Sequence, residues 1–487
     1  MRSIELQPSK GIGFDALRAH GRHNGEIPVV NTVFPGEDPG QVYPFPKGDV
    51  YLTQLGVRVA EPDSVTMVMK LLPGGAGYPS EKEYLRKIGL LPETASVIEV
   101  TPQIHTDNAL GYPFTDPAGL LRGEVAIAHS PGRKLYYVSA FSNDQITTMA
   151  EELGMATLDR PHSDRTNNKA LLRVQKDKYG IRMFDGMVID TIDDIERLTE
   201  KFRGKTMWMK YPTGSGGDLV HRIQSVNSES VLETVEKIRE EVMKAFEYGS
   251  YDTQGREYWP KDALHPEEFP LVIEIDATEE GRIILNGSNS FTTYNDGRVI
   301  VHGFFEQITS DVGEYLGSQP MIDDKEMRSL ILEQTFHLAR YNTEENGYYG
   351  NQGADYFVIQ RFDGRKEVRV VELNSRPPIS MYAHIVAHRL GFPAWINVNV
   401  QLNSGREIRD MSDFFEAIGE DLAYGKETSD GKLQIVPLAF RTIQSRTRER
   451  GEETIASPQF KAVLLGQTPQ HCRLLQEVLR ERGVSPQ

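Results

Sequence analysis

Residues 368–378 read VRVVELNSRPP. A β-rich run places Glu372, Asn374 and Arg376 at every second position, and two prolines then break it. Side chains of a strand alternate faces with a period of two. The Glu372 carboxylate and the Asn374 amide therefore point the same way, and Arg376 joins them if the extended path continues. Asp355, near the start of the preceding strand-like run, reaches that face if the hairpin register is right. Two carboxylates and an amide oxygen are hard ligands that suit Mg²⁺, and no thiolate or imidazole accompanies them to favour zinc. Mg²⁺ held by so few carboxylates keeps waters or takes substrate phosphates.

A phosphate site is the natural companion. In KYPTGSGGD, Lys210 ends a strand and Gly214, Gly216 and Gly217 follow at once. Glycines let backbone N–H groups converge on phosphate oxygens with no Cβ in the way. The spacing is not that of a P-loop, because no G-x-x-x-x-G-K-[ST] is present. GIGFDA (11–16) imitates a dinucleotide fingerprint, but the LQPSK before it makes a poor strand.

These residues need elements to hold them. KLYYVSAF (134–141) reads as a buried strand, and SNDQITTMAEELGM as a helix capped by Asn143 or Asp144. NNKALLRVQKDKYGI predicts a capped helix that ends at Gly180. Residues 206–223 read as strand, glycine turn, strand. A helix follows over 228–246, with Ser230 and Glu233 as its capping-box pair. Residues 247–269 read as a long irregular insertion. Three strand-like runs come next, the first two joined through TEEG and the third preceded by an NDG turn. Residues 325–342 form a helix, 355–374 a hairpin that turns at Asp363-Gly364, and 460–483 a final βα unit.

In their order along the chain, these motifs resemble the ATP-grasp superfamily, especially its biotin carboxylase and carbamoyl phosphate synthetase branch. The resemblance covers roughly 165–400 and rests on NNKALLRVQKDKYGI, MKYPTGSGGDLV, LVIEIDA and, most specifically, VVELNSRPP. It implies an α/β fold in three parts: an N-terminal α/β domain (1–165), a two-lobed ATP-grasp domain (166–400, with a flap at about 180–270) and a C-terminal region (401–487). It implies that Lys169 and Lys210 contact ATP phosphates and that Gly214, Gly216 and Gly217 close over them. Glu274 and Ile275 would sit at the hinge beside adenine, with Asp276 toward ribose. Asp355, Glu372 and Asn374 would hold Mg²⁺, and Arg376 would reach the transferred phosphate or the activated carboxylate. Arg282, which follows the hinge, is a candidate for the substrate side.

The implied reaction is ATP-dependent ligation of a carboxylate to an amine through an acyl phosphate, with an amino acid or small peptide as substrate by family habit. A carboxylate–thiol ligase, a carboxylase and a phosphotransferase are the rivals within the superfamily, and a non-catalytic ATP-binding protein is the rival outside it. His384 and His388 lie four apart on one face of a helix-like run. They lack a third ligand, so His384 reads as a substrate contact before a metal ligand.

Composition bounds the rest. The chain has 487 residues and a net charge of −16, which argues against nucleic acid as a partner. One cysteine, Cys472, excludes an internal disulfide, and its helical spacing from Leu475 and Leu479 places it in a core. No run approaches the ~18 apolar residues of a membrane helix. The sequence reads as a cytoplasmic protein with small-molecule partners, and a homodimer is compatible with it.

Overall fold

The computed structural model describes residues 3–9, 29–32, 55–68, 71–99, 136–139, 156–157, 166–212, 220–249, 270–310, 315–403, 406–446 and 453–486. Gly214, Gly216 and Gly217, most of the 247–269 insertion and the helix expected after Asn143 lie outside these residues.

Three sheets organise the chain. Strand β1 (Ser3–Leu6) leaves the N-terminal region and adds in parallel to a distant strand, residues 298–301. The next five strands, β2 (Val29–Thr32), β3 (Val65–Val68), β4 (Ser96–Glu99), β5 (Tyr136–Ser139) and β6 (Ala156–Thr157), form a parallel sheet in the order β4-β3-β2-β5-β6.

A four-stranded antiparallel sheet follows, ordered β7-β10-β8-β9. It comprises β7 (Gly186–Ile189), β8 (Met207–Lys210), β9 (Val220–Ile223) and β10 (Leu271–Ile275). Helices Ile192–Phe202 and Ser228–Gly249 cover it, burying Leu198, Phe202, Val231 and Ile238 with Met207, Met209 and Ile273. The cap of the second helix lies three residues earlier than expected. Asn227 accepts from Ser230 N, and Asn227 N donates back to Ser230 Oγ. Glu233 therefore falls inside the helix, where a reciprocal cap has no orphan N–H to satisfy.

The third sheet has eleven strands. Its main path joins β11 (Gly281–Thr293), β12 (Arg298–Thr309), β13 (Tyr315–Pro320), β14 (Gly350–Arg361), β15 (Lys366–Asn374), β16 (Ala394–Leu402), β17 (Lys426–Thr428), β18 (Gly431–Arg446) and β19 (Glu453–Gly466). Their order is β15-β14-β11-β12-β13-β16-β19-β18-β17, and β20 (Val484–Pro486) pairs with β16. TEEG does not make a hairpin. It forms a short helix, Ala277–Glu280, that carries the chain from the four-stranded sheet into this one. The Asp363-Gly364 hairpin and the NDG turn form as expected, with Gly364 and Gly297 at φ 87 and φ 86. Cys472 is fully buried on the helix Pro469–Glu481. Among the described residues, no helix is long and apolar enough to cross a membrane.

The segment 55–99 is welded to the C-terminal strands. Leu55, Tyr84 and Leu85 share a core with Phe414, Phe440 and Phe460. Inside this contact, Arg58 pairs with Glu81, and neither side chain is exposed. Arg58 Nε also donates to Pro437 O at 3.0 Å, and Glu81 accepts from Leu72 N at 2.7 Å. Burial pulls the guanidinium down to about 9. Removing one member of such a pair strands a charge in a dry interior, which costs far more than removing both. Arg58→Ala should therefore lower unfolding stability by about 3–5 kcal/mol in urea titrations. Arg58→Met combined with Glu81→Leu should recover most of that loss; a double variant as unstable as the single one would refute the pairing.

Candidate active site

The hairpin β14–β15 sets Asp355 directly opposite Glu372, and Gly353 opposite Asn374. Just past the carboxylates the register shifts: Tyr356 faces Val370, so Val371 is an extra residue on its strand. This β-bulge re-aims the strand next to the pair, and Val371 packs against the core of the four-stranded sheet. Gly353 is required by close approach, because a Cβ there would lie 2.9 Å from Pro378 Cγ.

Asn374 Nδ2 donates to Asp355 Oδ2 at 3.1 Å, and Gln307 Nε2 donates to Asp355 Oδ1 at 2.7 Å. Asp355 keeps a little solvent access, yet it lies deep enough for burial to dominate its chemistry. Burial first, and the Glu372 charge second, push it up to about 7, against the opposing pull of Arg376, Asn374 and Lys169. Arg376 is half-buried beyond the strand end.

Lys169 is the first residue of the helix Lys169–Tyr179. Asn168 caps that helix, accepting from Ala170 N at 2.9 Å and Leu171 N at 3.0 Å, and Gly180 closes it at φ 72. Lys169 Nζ reaches Glu372 Oε1 at 3.0 Å. Four residues on, and so on the same helix face, Arg173 binds Glu274 Oε2 at 2.5 Å. Lys210, at the end of β8, pairs with the other oxygen of Glu274. Burial pushes Glu274 up, but the Lys210 and Arg173 charges overcome it and hold the carboxyl below its usual range.

The structure thus brings Asp355, Glu372, Asn374 and Lys169 together, and joins Lys210 to Glu274. Ile275 is buried in the core of the four-stranded sheet. Asp276 caps the short helix, accepting from Thr278 N and Oγ1, Trp208 Nε1 and Arg222 Nε. That leaves its carboxylate heavily engaged at the position read as facing ribose. Arg282 is exposed at the start of β11, opposite Gln360, whereas Ser288 is the β11 residue opposite Asp355. Six residues of strand separate Arg282 from the carboxylates, roughly 20 Å. His384 packs between Phe305 and Trp395, with ring centroids at 5.7 and 6.3 Å. Burial, aided by the His388 and His302 charges, pulls it down to about 4, so the imidazole is neutral.

The donor set fits Mg²⁺. Among the described residues, no three His, Cys, Asp or Glu side chains form a cage. Two carboxylates with one amide suit a cation that keeps waters and takes phosphate oxygens. Sequence reasoning missed Arg173, Gln307 and Asn167. The i, i+4 spacing from Lys169 was the available signal for Arg173. Gln307 and Asn167 act across 48 and 208 residues, with no local signature.

Solved structures share the overall fold. The chain is 11% identical to biotin carboxylase from Campylobacter jejuni, solved as a β-γ-ATP complex, at a TM-score of 0.52 over 95% of this chain and 92% of that one. It is 12% identical to the biotin carboxylase domain of Hydrogenobacter thermophilus 2-oxoglutarate carboxylase, solved with MgADP, ADP and bicarbonate. That TM-score is 0.50, over 94% and 90% of the two chains. Rhizobium etli pyruvate carboxylase is 12% identical at 0.53, over 95% of this chain and 38% of that one. No protein-family model and no curated protein sequence matches. The chain has the ATP-grasp fold. The biotin carboxylases named here are similar to it over nearly its whole length.

Asn167 Oδ1 accepts from Ser375 N at 2.7 Å and so ties the start of the Lys169 helix to the strand end that carries Asn374. Asn167→Ala should cost about 1 kcal/mol of stability and loosen the approach of Lys169 to Glu372. Titration with MgATP should show weaker binding than wild type; unchanged affinity would mean the tie is merely structural.

Proposed function

We propose that this chain is an ATP- and Mg²⁺-dependent ligase that joins a carboxylate to an amine through an acyl phosphate, releasing ADP and phosphate. An amino acid or small peptide is the proposed substrate class. The observation that carries the reading is the meeting of Asp355, Glu372 and Asn374 with the Lys169 ammonium on one hairpin face. Asp355, Glu372 and Asn374 would hold the metal, which when bound supplies positive charge against the transferring phosphate. Lys169 and Lys210 would bind phosphate oxygens, each exchanging a carboxylate partner for them. Gly214, Gly216 and Gly217 would close over the nucleotide and exclude water, which an acyl phosphate requires. Glu274 and Ile275 would border adenine. Arg376, with its planar fork of donors, would orient the carboxylate or its phosphate. The protein's contribution is then positioning and electrostatics, the main levers in phosphoryl transfer.

A carboxylase that uses bicarbonate as its carboxylate is the second reading, favoured by the bicarbonate found with the Hydrogenobacter domain. Both readings are separated by incubating the protein with MgATP, hydroxylamine and a panel of carboxylates that includes bicarbonate. ADP release with a trapped hydroxamate is the expected outcome, and AMP with pyrophosphate would overturn it. Dependence on bicarbonate alone would favour the second reading. Glu372→Ala should lose at least about 100-fold in rate while its circular dichroism is unchanged; full activity would remove the metal assignment.

A further inference from the structure

Glu274 holds two cations where one would neutralise it. Side chains on β8 and β10 alternate faces. Met209 and Ile273 turn into the core covered by the helices Ile192–Phe202 and Ser228–Gly249. Lys210 and Glu274 therefore turn the other way, toward the helix Lys169–Tyr179. Lys210 lies opposite Val272, and its ammonium reaches diagonally to Glu274. Arg173 arrives from the helix and takes the other carboxylate oxygen, with Nη2 donating to Oε2 at 2.5 Å. Its Nη1 also donates to Phe184 O at 2.9 Å.

The two cations are thus held differently. Arg173 is fixed by a carboxylate and by a backbone carbonyl. Among the described residues, the hydrogen bond and ion pair of the Lys210 ammonium both go to Glu274. Arg173, Glu274 and Lys210 are 4%, 3% and 8% exposed. A carboxylate this deep cannot lose its last cation cheaply, because an unpaired buried charge is strongly destabilising. Stability alone does not ask for the second cation. Lys210 would neutralise Glu274 by itself, and Arg173 is buried with its Nε unpartnered, which is a cost of its own. A second cation has a use if the first one has to leave.

We infer that Arg173 is a positioning residue for nucleotide binding, the standing counter-charge that lets Lys210 leave Glu274 for a phosphate oxygen. The inference rests on the proposed binding of phosphate by Lys210 and deepens that reading. Before nucleotide arrives, Glu274 is shared and Lys210 is stored beside the site. When Lys210 turns to phosphate, Arg173 keeps Glu274 paired, so the exchange strands no buried charge. Without Arg173, Lys210 is the last partner of Glu274, and nucleotide must pull it from a carboxylate that would then be alone. Arg173 acts through Lys210 and not on the nucleotide.

The test is a double-mutant cycle on the full chain, with calorimetry of MgATP binding as its readout. Arg173→Met should weaken MgATP by about 10-fold or more, and Arg173→Lys should recover part of the loss. In a Glu274→Gln background the same Arg173→Met change should alter affinity by less than about 2-fold, because a neutral amide does not retain Lys210. Any effect of the amide on adenine is common to both members of that background and cancels. A purely structural Arg173, one that only anchors its helix to Phe184, predicts equal weakening in both backgrounds. Equal weakening, or none in the Glu274 protein, would overturn the inference. If Arg173→Met does not fold alone, Arg173→Lys carries the cycle, with weakening expected beside Glu274 and none beside the amide. A wild type that binds no MgATP refutes the nucleotide reading and this inference together. A wild type that binds MgATP but forms no hydroxamate refutes the ligase chemistry alone, and the cycle still decides the role of Arg173.

Discussion

Two carboxylates face each other across one hairpin, and the rest of the site is arranged around their repulsion. Like charges directly opposite on neighbouring strands are destabilising, and burial makes Asp355 and Glu372 worse neighbours than they would be in water. The surroundings supply partial answers from every side. Lys169 comes from a helix 203 residues away in sequence, and Gln307 and Asn374 donate to Asp355. Arg376 adds positive field from the strand end. None of these abolishes the strain, since Asp355 still holds its proton to near neutral pH. A site built only for stability would replace one carboxylate with an amide. A site built to attract a divalent cation keeps both, because the cation inverts the local electrostatics.

A second charged knot couples this pair to the four-stranded sheet. Glu274 is 3% exposed and binds Arg173 and Lys210 at once. The helix Lys169–Tyr179 therefore carries one cation to the large sheet and, one turn later, another to the smaller one. Both candidate phosphate-binding lysines are held by carboxylates, Lys169 by Glu372 and Lys210 by Glu274. On the proposed reading, phosphate oxygens would have to compete for them. The same competition would bring negative charge toward Lys169 and away from Glu372, which frees that carboxylate for a metal ion. On the proposed reading, nucleotide and metal would be linked through one short helix.

Legibility in the sequence followed the range of the interactions. The capped helix of NNKALLRVQKDKYGI, Gly180 as its stop and Gly364 as a hairpin turn each depend on a few residues, so local spacing revealed them. The Ser230–Glu233 cap failed for the same local reason: Asn227 offered a competing cap three residues earlier. The period of two on β15 correctly placed Glu372 and Asn374 on one face. It could not supply the register of Asp355, because the bulge at Val371 offsets the count across the hairpin. TEEG looked like a hairpin turn, and only the partners of β10 and β11 in two different sheets settle it otherwise.

Function demands more of the residues that were hardest to see. Asn167 and Gln307 carry no motif, yet each holds a motif residue in place from a remote part of the chain. Lys461 lies in a run, FKAVLLG, whose apolar content reads as an ordinary core strand. Its alternation with Phe460 and Ala462 hides a buried lysine among side chains that pattern analysis treats as packing. On β19, Lys461 lies opposite Asn399, next to Phe460 in the core shared with Phe414. The chemistry of the motif and the chemistry beside it are therefore encoded differently, one by spacing within a strand and the other by which strands become neighbours.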